Sequence, residues 1–164
     1  MPFEVTPLGL LPTRRRILIA AALSCWTAAH AIDNPDAPDY NAAFLERARP
    51  YEERLSQASS ASETTAAASA YSTFLDAELN RAYQDLLARM DAPDTRQALV
   101  QAQREWLRFR DAELRFIDRN WTPQNFGSSF ALSRADYRHR LVKQRVSTLL
   151  AYLQNYPARP VRGK

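Results

Sequence analysis

Apolar residues recur at three- and four-residue spacing in three long stretches of the chain, the pattern of helices that each bury one stripe. The first stripe runs through Tyr71, Phe74, Leu75, Leu79, Ala82, Tyr83, Leu86, Leu87 and Met90. Asp91-Ala92-Pro93-Asp94 ends it, because proline lacks a backbone donor and does not simply continue a helix. Asp94, with Gln97 three residues on, resembles a capping box and opens a second helix. Its stripe is read as Leu99, Ala102, Trp106, Phe109, Glu113 or Leu114, and Ile117. Residues Asn120–Gly127 (NWTPQNFG) form a turn-rich connection. The last helix carries Tyr137, Leu141, Arg145, Thr148, Leu149, Tyr152, Leu153 and Tyr156, and Pro157 and Pro160 close it.

Upstream the pattern is weaker. Residues 41–56 hold Phe44, Leu45 and Leu55 in a helical setting, but Pro50 is expected to interrupt any single helix there. Residues 32–40 (IDNPDAPDY) carry two prolines and three aspartates and read as an extended leader. The stretch Gln57–Ala70 (QASSASETTAAASA) supports two readings: a flexible linker from its serines and threonines, or the first turns of the next helix from its alanines. No run shows sustained strand alternation. The expected fold is therefore all-α, a small bundle of three principal helices with or without a short extra N-terminal helix. The short connection between the first two principal helices makes them antiparallel.

The first thirty-one residues read as an address. Arg14, Arg15 and Arg16 precede the apolar run Ile17–Trp26 (ILIAAALSCW), and Ala29-His30-Ala31 supplies an A-x-A site. These are the three parts of a secretory signal peptide, cut after Ala31. The apolar run is about half of the ~20 residues that a membrane span needs, so no stable span is expected. Thr13-Arg14-Arg15-Arg16-Ile17-Leu18 also fits a twin-arginine signal. The general secretory route is favoured, since nothing calls for a cofactor inserted before export. Cys25 is an alternative point of lipid anchoring, although Ala22-Leu23-Ser24 matches a lipoprotein box poorly. The expected location is the periplasm or the medium. The expected organisation is a signal peptide over 1–31, a leader with a short helical or linker segment over 32–61, a helical domain over 62–156, and a basic tail over 157–164.

Composition narrows the chemistry. Three glycines (Gly9, Gly127, Gly163) in 164 residues leave no phosphate-cradling loop and no dinucleotide fingerprint. Beyond Ala31 there is no cysteine and one histidine, His139, which between Arg138 and Arg140 reads as a solvated surface residue. A zinc site or a Ser-His or Cys-His pair lacks its parts, and no cofactor and no metal are expected. The mature chain carries net +2, unevenly spread: −7 over residues 32–94, +2 over 95–119 and +7 over 120–164. The acidic half is expected to complement the basic last helix, with contact to an anionic envelope surface as the minor alternative. Export argues against a nucleic-acid partner.

Two segments place polar residues where a stripe expects apolar ones. Asp76, Asn80 and Tyr83 share one helix face, and Gln103, Trp106 and Arg110 share another, followed by Asp111. Across an antiparallel pair, Asn80, Gln103 and Arg110 are expected to meet, with Asp76 or Glu113 answering the guanidinium. Such a network acts as a structural lock that must be fully paired, or as a recognition patch for a partner.

At these residues the chain resembles the family of the lysozyme inhibitor LprI N-terminal domain. That family joins a D-x-x-L-N-x-x-Y helix to a Q-x-x-W-x-x-[YF]-R-D helix. Here the two appear as Asp76-x-x-Leu79-Asn80-x-x-Tyr83 and Gln103-x-x-Trp106-x-x-Phe109-Arg110-Asp111, within a likeness covering roughly residues 62 to 153. Relatives carry cysteines where this chain has the Ala66–Ala68 stretch, Leu114 and the Asp136–Tyr137 region, so the disulfides of the family are absent here. The resemblance implies an exported, non-catalytic protein whose partner is a protein, lysozyme first among candidates. The alternative is an envelope interaction or immunity protein that binds something other than lysozyme. An enzyme ranks third: Glu105, Asp111 and Glu113 are close carboxylates near an aromatic, but they sit among Arg108, Arg110 and Arg115.

Overall fold

In a computed structural model of the protein, residues 38–156 are described. The expected signal peptide, most of the leader and the basic tail lie outside the described residues. Helix α1 spans Tyr40–Gln57, α2 spans Ala61–Arg89, α3 spans Pro93–Asn120 and α5 spans Phe130–Gln154. Between α3 and α5 lie a single turn, α4 (Pro123–Phe126), and a 3-10 turn, Gly127–Ser129. No strand occurs among the described residues, so the all-α expectation holds, with four long helices instead of three.

Local chemistry explains the boundaries. Ser60 caps α2 by accepting from the Glu63 backbone N–H at 3.1 Å, and Glu63 reaches back to the Ser60 N–H at 3.3 Å. This reciprocal cap settles the Ala/Ser/Thr stretch in favour of helix from Ala61 onward. Helix α3 opens differently from the capping box expected at Asp94: Ala92 is its N-cap, no side chain caps it, and Pro93 occupies the first turn, where its missing donor costs nothing. Arg96 clamps the turn instead, donating to the Leu87 carbonyl at 2.6 Å and the Met90 carbonyl at 3.2 Å. Gly127 adopts φ +55°, a region that favours glycine, where α4 hands over to the 3-10 turn.

Pro50 does not break the first helix. It lies inside α1 on the solvent side, so water serves the Glu46 carbonyl that has lost its donor, while Phe44 and Ala48 on the opposite side are fully buried. The core joins these two residues to Tyr71, Leu75, Leu79, Ala82, Leu86 and Met90 of α2 and its end, and to Val142, Val146, Leu149, Leu150 and Leu153 of α5. Helices α2 and α5 form the most extensive pairing, and α1 packs across both.

Helix α3 sits at the edge of this three-helix core. Its buried side chains are Leu99, Gln103 and Ile117, whereas Ala102 and Phe109 of the expected stripe are exposed. The inward face is therefore turned by one position, through Gln103, Trp106 and Arg110. In α5 the same kind of shift leaves Tyr137 and Tyr152 exposed and buries His139, Val142 and Val146.

Candidate functional site

The turn at residues 90–92 folds α3 back beside α2, and the two motif segments face one another across a groove of about 420 Å³. Asp76, Leu79, Asn80 and Tyr83 line it from α2; Val100, Gln103, Arg104, Leu107 and Arg110 line it from α3. Five of the seven sequence-singled residues (Asp76, Asn80, Tyr83, Gln103 and Arg110) thus meet at one place. Trp106 and Asp111 stand beside it.

The bonding differs from the lock expected between the two helices. Gln103 is buried, and its Oε1 accepts from Arg145 Nε of α5 at 3.0 Å, not from Asn80. Arg110 is answered by its chain neighbour: Asp111 Oδ1 accepts from Nε at 3.0 Å and from Nη2 at 2.8 Å. Trp106 ties these pieces together, with the guanidinium carbons of Arg110 and Arg145 each 5.7 Å from its ring centre. Burial pushes the Arg145 guanidinium below its ordinary value. No hydrogen bond or ion pair among the described residues engages the side chains of Asp76, Asn80, Tyr83 or Arg104. Helix α3 packs more closely against α5, through Arg145, than against α2, and Asp76, Asn80 and Arg104 remain exposed.

Two of the three close carboxylates of α3 are paired, while Glu113 bonds to no other described residue. Glu105 Oε1 accepts from Gln101 at 2.7 Å and from Arg108 at 2.5 Å, while Asp111 holds Arg110.

Away from the groove lie three further polar groups, of which the sequence singled out only His139. Glu78 is buried beneath α1 and receives Arg47 at 3.2 and 3.0 Å, and Arg81 as well. An acidic residue on the apolar stripe of α2, one position before Leu79, was the available signal. His139, read as a surface residue, is buried: its Nε2 lies 2.9 Å from Ser72 Oγ and 3.1 Å from the Ala68 carbonyl, and Tyr71 packs on its ring. Burial pushes its pKa down, with the Ala68 hydrogen bond opposing. Glu52 receives Tyr71 Oη and Lys143 Nζ, both at 2.6 Å. Burial raises its carboxyl, but these two bonds outweigh it and hold the group below its ordinary value.

The family of lysozyme inhibitor LprI matches residues 53–149, a span that contains both motif segments and every residue lining the groove. The chain belongs to the lysozyme inhibitor LprI family. Comparison with curated proteins and with solved structures found no match. The LprI match covers α2, α3 and most of α5 but begins inside α1, although Phe44 and Ala48 ahead of it are integral to the core. No described helix is long and apolar enough to cross a membrane.

Proposed function

We propose that the protein is an exported lysozyme inhibitor, a binding module that occludes a muramidase cleft with the groove between α2 and α3. The observation that carries this reading is the arrangement of the two motifs of an LprI family member around one groove, in which Asp76, Asn80, Tyr83 and Arg104 have no partner among the described residues. A structural lock would close its hydrogen bonds between the two helices, whereas Asp76, Asn80 and Arg104 are exposed and Tyr83 is half-buried. Asp76, Asn80, Tyr83 and Arg104 instead keep donors and acceptors available. Inhibition of this kind needs a complementary surface and no catalytic group. Arg110, held by Asp111 and resting on Trp106, offers a guanidinium already fixed in place, which lowers the ordering cost of binding. The acidic segment 32–94 steers a basic partner toward α2. The signal peptide of residues 1–31, cut after Ala31, delivers the module outside the cytosol.

The test is turbidity clearing of cell-wall substrate by a c-type lysozyme in the presence of excess mature protein. Slowed clearing is expected; unchanged clearing across several lysozyme classes rejects the reading. The near-neutral charge of the mature chain favours a second reading, an envelope partner other than lysozyme at the same groove. Affinity capture from an envelope extract separates the two, because the Arg110→Ala variant would then lose that partner and leave lysozyme untouched.

A further inference from the structure

A second cleft, of about 400 Å³, opens between the C-terminal half of α3 and the start of α5. Its walls are aromatic. Trp121 packs at 4.3 Å from Tyr137, 5.8 Å from Phe126 and 6.0 Å from Phe116, ring centre to ring centre. Phe116 and Tyr137 remain 54% and 39% exposed, so these rings cover one another only in part and present faces to solvent. The rim is polar: Glu113, Arg140 and Gln144 border the same space. Arg140 is oriented by Asp136, with Nε at 3.2 Å from Oδ1, and lies 5.5 Å over the Tyr137 ring. The side chains of Glu113 and Gln144 bond to nothing else among the described residues.

We infer that this cleft binds a pyranose ring of a glycan. A pyranose has C–H groups on its two faces and hydroxyls around its edge, so it needs apolar walls and a rim able both to donate and to accept. Phe116, Trp121 and Tyr137 supply the first; a carboxylate, a primary amide and an oriented guanidinium supply the second. A purely apolar occupant, such as a leucine or phenylalanine side chain from a protein, would give Glu113 and Gln144 no partner and make no use of the oriented Arg140, and that mismatch costs affinity. A phosphate or another strong anion would meet the Glu113 carboxylate. The site is separate from the α2–α3 groove and independent of the inhibitor reading.

The experiment is isothermal titration of the mature protein with the N-acetylglucosamine tetramer, chitotetraose. Saturable binding is expected, weakened about tenfold in Phe116→Ala and in Trp121→Ala and also weakened in Glu113→Ala. Arg110→Ala, in the other groove, should bind as the parent does. Phe116 is exposed, so its variant keeps the test sound even if Trp121→Ala fails to fold. Absence of saturable heat, equal binding by the Phe116→Ala and parent proteins, or a dimer in sedimentation that Phe116→Ala abolishes would each overturn the inference.

Discussion

Helices α2 and α3 are almost equal in length, 29 and 28 residues, yet α2 buries seven side chains and α3 only Leu99, Gln103 and Ile117. The first is embedded in a core of leucine, valine and aromatic side chains shared with α1 and α5. The second is attached at its start by Arg96, midway by the Arg145–Gln103 bond and the rings and guanidiniums around Trp106, and at its end by Arg134 and Arg138, which reach the Trp121 and Asp118 carbonyls and the Asp118 carboxylate. Apolar burial scales with area and is costly to disturb, whereas half-exposed ion pairs contribute little each. A helix tied on by the second kind of contact keeps its other faces free. Both candidate surfaces, the motif groove and the aromatic cleft, are built on α3 for that reason.

The sharpest break of this comparison is a pair of core truncations in the embedded half. Leu149→Ala and Phe44→Ala should each destabilise the fold by about 3–5 kcal/mol in chemical denaturation, since both side chains are fully buried. Arg47→Ala comes next. It leaves the buried Glu78 carboxylate short of two hydrogen bonds, at about 1–3 kcal/mol. His139 sets a smaller, pH-dependent effect. Its folded pKa lies below the ordinary imidazole value of 6.5, and its buried Nδ1 has no partner to receive an added proton's bond. The unfolded chain therefore binds the proton first, so stability is complete above about pH 6.5 and declines as pH falls through that value. His139→Gln should flatten this slope between pH 6.5 and 5 in thermal melts, where Glu52, whose carboxyl is held below 4.5, does not yet titrate. The smallest stability effect belongs to Arg110→Ala, no more than about 1 kcal/mol, because its partner is the exposed Asp111.

The sequence was most legible where side chains pack and least where they pair. Every residue of the α2 stripe, from Tyr71 to Met90, lies in or against the core. In α3 the rule that apolar positions face inward chose Ala102 and Phe109, yet Gln103 faces inward because Arg145, forty-two residues away, supplies its partner. Nothing local announces such a bond. His139 was misread from its neighbours: adjacent helical residues point about 100° apart, so flanking arginines say little about the face between them. Pro50 was misread because its cost depends on whether water reaches the carbonyl it strands, a tertiary fact. The motif groove was legible as a juxtaposition, through the spacing of Asp76, Asn80, Gln103 and Arg110. Its open hydrogen bonds were not, since how closely α3 packs on α5 and on α2 is a tertiary fact.

The most direct measurement sets thermal stability and lysozyme affinity side by side for Arg110→Ala and Asn80→Ala. If the groove is a docking face, both variants melt within a few degrees of the parent and bind a c-type lysozyme at least about tenfold more weakly by titration calorimetry. Variants that melt far earlier while binding lysozyme as the parent does would contradict the account, and would make the two motifs a structural lock.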